Sequence, residues 1–210
     1  MDVRATQPKI LADDFLCTLS GPITDVHIWG SWLNNQVNPN VQFKLSFHTD
    51  VPAGVDTPWS HPGPEVWSMI FLPGQFQQRF WADASERFYD PNINQVIGSD
   101  TQVFQYNFFI PEAAAFFQNQ GNIYWLDVEA FTSTGLFGWK TSFQHNLDDA
   151  VYADEPPPLF WRDMHDPATG QSLDMAFVLT TIPEPGSVLL ATLGGGFLLV
   201  LRWRRQAMRN

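Results

Sequence analysis

Between Val41 and Thr49 the chain reads VQFKLSFHT, with Val41, Phe43, Leu45 and Phe47 alternating strictly with Gln42, Lys44, Ser46 and His48. Successive side chains of a strand point to opposite faces, so a period of two predicts a strand with one face in a core and one in water. A helix would scatter the same four apolar residues around its circumference. Further strands are expected at Ile23 to Leu33, Glu65 to Phe71, Thr101 to Ile110, Asn122 to Thr132, Gly138 to Ser142 and Ser172 to Thr181, supported by their β-branched and aromatic residues. Between them lie DVPAGVDTPWSHPGPE, YDPNINQVIGSD, ADEPPP and DPATG, dense in turn residues. Only PEAAAFFQNQG, Pro111 to Gly121, reads as a helix in this stretch, with proline at its start and glycine at its end. Seven or more strands with almost no helix predict an all-β fold: an antiparallel β-sandwich, jelly-roll-like.

Composition narrows the function classes. Hydrophobic residues make up 44% of the 210 and aromatic residues 15%, enough to build a core, which excludes a disordered chain. The formal charge is -11, and Arg202, Arg204, Arg205 and Arg209 all follow the last acidic residue, Glu184, so the rest of the chain is more acidic still. A body of that sign repels phosphate backbones, and no nucleic-acid partner is expected. Cys17 is the single cysteine, which rules out an internal disulfide and a cysteine zinc cluster; in DFLCTL it reads as a buried thiol.

The end of the chain is built differently. After Pro183-Glu184-Pro185, no residue from Gly186 to Leu201 is charged, and Arg202, Arg204 and Arg205 follow. As a helix this run spans about 24 Å, short against about 30 Å of hydrocarbon. The arginines read as a membrane stop on the cytoplasmic side, with the body on the other. A buried C-terminal helix is the alternative, but the arginine cluster and Gly194 to Gly196 fit it poorly. The order Pro-Glu-Pro, apolar helix, basic cluster resembles the PEP-CTERM sorting signal of Gram-negative bacteria. That resemblance implies export, transient anchoring in the inner membrane, processing by an exosortase-type protease near Pro183 to Pro185, and delivery to the cell surface or extracellular matrix. Export also calls for an N-terminal signal, and MDVRATQPKILADDF lacks the basic and apolar regions of one, which suggests a start further upstream.

The body carries a coarser resemblance. ADDFLCTLSGPITDVHIWGSWL, YWLDVEA, FGWKTS and DMAFVLTT are similar to exported bacterial β-sandwich domains of unknown function that precede such tails. The expected organisation is an N-terminal segment at 1–11, a sandwich domain at 12–182 and a sorting signal with a transmembrane-like helix at 183–210.

Several constellations could carry chemistry. Asp13, Asp14 and Asp174 could meet where first and last strands run side by side, and their hard oxygens would suit calcium; otherwise they form a turn and a solvated strand face. Asp148 and Asp149, after His145, pose the same choice between metal and polar loop. The five histidines show no zinc spacing. Asp127 and Glu129 share one strand face and would serve a glycosidase if they faced each other across a cleft; adjacent acids on a wet face are the alternative. No serine-nucleophile elbow, phosphate loop or metalloprotease helix is present. Of eight body tryptophans most must be core, and Trp59, in TPWSHPGP, is the one expected to be exposed, where it would hold extracellular polysaccharide. The expectation is thus a non-catalytic surface or matrix protein needing no cofactor, with a calcium-bearing carbohydrate module and then a glycan hydrolase as alternatives.

Overall fold

The computed structural model describes residues 1–154 and 156–182. Among them the chain forms β1 (Asp2–Arg4), β2 (Lys9–Leu16), β3 (Gly21–Trp32), β4 (Gln42–Val51), β5 (His61–Phe71), β6 (Phe76–Asp90) and β7 (Gln95–Phe109). There follow β8 (Phe116–Gln118), β9 (Ile123–Phe131), β10 (Phe137–Lys140), β11 (Val151–Asp154), β12 (Arg162–Asp163) and β13 (Phe177–Thr181). The fold is all-β in two sheets: β12-β11-β2-β9-β4-β5 in one, and β10-β1-β6-β7-β3-β13, with β8 on β3, in the other.

In the second sheet β10 pairs with both β1 and β3, so the pairing β3-β10-β1-β6-β7 returns to β3 and closes a ring. Two glycines permit this closure: a Cβ on Gly30 would lie 2.4 Å from the Gly138 carbonyl oxygen, and one on Gly138 would lie 2.7 Å from the Phe88 ring. Residues 1–11 are built into the sheets, with β1 between β6 and β10 and the start of β2 beside β11.

The inward residues of β4 behave as the alternation requires. Phe43, Leu45 and Phe47 are fully buried between the sheets. Phe43 packs against Phe76, Tyr106, Phe108 and Phe137 with ring centroids 5.0 to 5.4 Å apart, mostly edge to face, the geometry the ring quadrupoles favour. Trp32 donates its indole N–H to the Tyr106 hydroxyl at 2.8 Å, and Trp139 donates to the Ala176 carbonyl at 2.9 Å. Both indoles thus bury their area without an orphaned donor.

Two sequence expectations change. The other face of β4 is wet only at its start: Gln42 is exposed and Lys44 partly so, while Ser46 and His48 are buried beside a second cluster in which Trp59, Leu159 and Trp161 pack with Ile10, Ala12, Trp125, Val151 and Ala153. The helix expected at Pro111 to Gly121 is a three-residue 3-10 turn, Glu112–Ala114, after which Ala115 is extended and β8 pairs with β3. Ladder hydrogen bonds and burial of Phe116 against the core outweigh the helix propensity of three alanines. The C-terminal apolar helix lies outside the described residues; among those described, no helix is long and apolar enough to cross a membrane.

Candidate functional site

The body ends in register with its sheet. β13 runs antiparallel along β3, with Phe177 opposite Ile28 and, after a register shift, Thr181 opposite Ile23. Ile182 donates its backbone N–H to the Pro22 carbonyl at 3.3 Å, and Gln118 donates from Nε2 to the Thr181 hydroxyl at 2.6 Å. Glycine at position 21 lets the two chains approach: a Cβ there would sit 2.5 Å from the Ile182 carbonyl oxygen. Pro183, Glu184, Pro185 and the arginines 202, 204 and 205 lie outside the described residues. The junction is held to the last residue before them.

Beside β13 opens a cleft of about 630 Å³ lined by Asp14, Phe15, Trp29, His145, Asn146 and Phe177, among others. The strand period sends Asp13 and Asp14 to opposite faces of β2. Asp13 turns inward and accepts the Met175 N–H at 2.6 Å and the Asp14 N–H at 2.9 Å. Burial, helped by the charges of Asp174 and Asp14, holds its carboxyl well above the usual range against those bonds. Asp174 accepts the Asn146 N–H at 2.5 Å and faces His145 Nδ1 at 3.1 Å; burial raises it too. Asp14 is pushed up to about 8, by burial first and then by the charges of Asp148, Asp174 and Asp50, and its Oδ1 is buried without a hydrogen-bond partner. Asp148 is the counterexample: burial alone would raise it, but the hydroxyl and N–H of Ser60 hold it below the usual range.

Three aspartates singled out in the sequence therefore share one end of the sandwich. They do not converge as a ligand set: the Met175, Asp14 and Asn146 N–H groups and His145 bond Asp13 and Asp174, and Asp14 Oδ1 is buried without a partner. Among the described residues, the set of three whose ligand atoms converge within 4.8 Å is Asp149, Asp163 and His165. There His165 sits between the two carboxylates at 3.5 and 3.4 Å, and Ser172 donates to Asp149. Both ring nitrogens of His165 thus face a carboxylate oxygen.

Asp127 and Glu129 lie on the covered outer face of β9, 4% and 3% exposed, away from any described cleft. Asp127 accepts from His48 Nε2 at 2.9 Å, while His48 Nδ1 lies 2.9 Å from the Gly63 carbonyl. Both partners are acceptors, so the imidazolium satisfies them together; burial alone would lower its pKa, but Asp127 outweighs burial and raises it. Trp59 is half-buried against the Trp125 cluster, with its indole N–H enclosed. The exposed body tryptophan is Trp81, at 51%, set edge to face on Trp29 with centroids 5.5 Å apart and with the Arg79 guanidinium 5.1 Å from its ring. Trp81 sits at a register shift of β6, which breaks the alternation that would have revealed its direction in the sequence.

Residues 1–180 match the family described as a domain of unknown function, DUF7901. The chain belongs to this family. Behind the DUF7901 body, residues 181–206 match the PEP-CTERM protein-sorting motif. The motif begins on the last residue of β13, so signal and sheet are continuous. It marks the chain as an exported, exosortase-processed protein sorted to the cell surface. No curated protein and no solved structure matches the DUF7901 chain.

Proposed function

We propose that this DUF7901 protein is a non-catalytic structural or interaction protein of the cell surface or extracellular matrix. Its tail holds it transiently in the inner membrane until cleavage near Pro183 to Pro185. The observation that carries this reading is the sorting motif fused without a spacer to an all-β body. The body's acidic groups support the non-catalytic part: most are occupied by backbone N–H groups, histidine or lysine, and Asp127 and Glu129 face no described cleft. Switching of β2, β3 and β4 between sheets supports a jelly-roll-like description. Fractionation of native host cells tests the destination. The wild-type body is expected in the surface or matrix fraction, and a chain lacking residues 183–210 is expected to miss it; equal distribution of the two would overturn the reading.

A second reading, a carbohydrate-binding module, has one observation in its favour. Trp81 and Trp29 form an exposed aromatic corner beside Arg79, on the sheet face where Gln105 keeps a buried amide oxygen without a partner. Electrophoretic retardation in gels containing a neutral β-glucan, lost in Trp81→Ala, would establish it; equal mobility with and without glucan would remove it.

A further inference from the structure

Six exposed apolar side chains lie around the end of the sandwich where the body meets its tail. Thr181 and Ile182 lie beside Ile23 and Pro22 of β3, and Pro22 is flanked on its other side by Phe117 of β8. Phe109 is opposite Asp25, and Val178 is opposite His27, on the adjoining stretch of β3. Leu16 and Leu19 line a hollow with Leu179 and Thr181 at the same end. Leu16, Leu19, Phe109, Phe117, Val178 and Ile182 are each between 43% and 53% exposed. Exposed apolar side chains gathered at one end of a folded body mark a candidate interaction site.

The length of chain beyond Ile182 says what that site meets. Pro183, Glu184 and Pro185 are all that separate it from the uncharged run starting at Gly186. Four Cα steps span at most about 14 Å. A headgroup layer is roughly 6 Å deep on each side of the hydrocarbon. A run that enters the hydrocarbon at Gly186 therefore holds Ile182 within about 8 Å of the headgroup surface. That tether keeps the rim within reach of the interface, where apolar side chains settle about 5–10 Å into the headgroup boundary.

We propose that this rim docks on the lipid interface while the tail is in place, so that the sandwich stands on the membrane with Ile182 downward. The inference rests on the anchoring step of the proposed function. Its chemistry is apolar insertion, since Asp25, the carboxyl on the adjoining stretch of β3, faces His27 at 2.9 Å and would not attract anionic headgroups. The hairpin tip carrying Ile93 lies at the opposite end of the strands and stays in water.

The test uses the full 210-residue chain in phosphatidylcholine vesicles carrying lipid-borne nitroxides. One environment-sensitive thiol fluorophore is placed by Phe117→Cys, Ile93→Cys or Leu199→Cys. Cys17 is buried and its thiol is pushed up to about 11, so labelling goes to the introduced residue, which intact mass checks. The expected result is strong lipid quenching at 199 and 117 and several-fold weaker quenching at 93. Quenching at 199 with 117 no different from 93 overturns the docking and leaves the anchor standing. Shielding of 117 from a water-soluble quencher without lipid quenching assigns the patch to a second copy and also overturns it. An unquenched label at 199 removes the anchoring step itself.

Discussion

The two outer faces of the sandwich are finished in opposite ways. The face of the β2-β9-β4 sheet is roofed by the segments around Trp59 and Trp161, and beneath the roof Trp125, Asp127 and His48 are buried and hydrogen-bonded. The face of the β7-β3-β13 sheet has no such cover among the described residues and shows Trp81, Phe109 and Phe117 to the outside. Polar groups sealed under one face serve the body's own stability. Aromatic groups left open on the other are free to meet a partner, and that open face leads directly into the sorting signal.

The sharpest way to break this contrast is to truncate one tryptophan on each face. Trp125 is fully buried and donates to Asp50 at 2.9 Å, so Trp125→Ala should cost about 3–5 kcal/mol in urea unfolding. Trp81→Ala should cost less than about 1 kcal/mol. Comparable losses would mean that the open face is structural too.

A smaller effect concerns the seam joining the open face to the tail. In Gly21→Ala the new methyl meets the Ile182 carbonyl oxygen, and overpacking of this kind costs about 1–3 kcal/mol. Limited proteolysis should then cut first at 177–182, and an unchanged cleavage pattern would show that β13 is not held at that point.

Under the roof, the His48 pair gives a pH signature. Its folded pKa is raised above 6.5, so its stabilisation is complete below about 6.5 and is lost as pH rises through the folded value. His48→Ala should cost roughly 1 kcal/mol more at about pH 5.5 than at about pH 9, read as unfolding free energy. A pH-independent cost would mean that the imidazole acts only by filling space. Smallest of all, Phe109→Ser on the open face should change stability by no more than about 0.5 kcal/mol, checked by the same unfolding measurement.

What could be read in advance follows the same division. Strands with one consistently apolar face, such as β4 and β9, announced themselves, as did the separation of body from tail. β6 was missed because FQQRFWADASERFYD has most of its residues in solvent and carries register shifts, so nothing enforces a period of two. β2 was missed because Asp13 and Asp14 interrupt its apolar pattern, and only the tertiary contacts to Met175 and Asp148 explain two carboxyls in a buried strand. The roof could not be foreseen from Ser46 and His48, since the same polar residues suit water or a hydrogen-bonded interior. Trp59 was expected outside because its neighbours are turn residues, yet turn chemistry fixes the backbone and says nothing of what the indole packs on.

The account stands or falls on whether the body is released where its sheet ends. The direct measurement is the intact mass of the protein from its own host, with and without the sorting protease. The account predicts a species ending near Pro183 to Gly186 in the wild type and the uncleaved chain, retaining Arg202 to Asn210, in the protease-deficient strain. An uncleaved chain in both strains would contradict it.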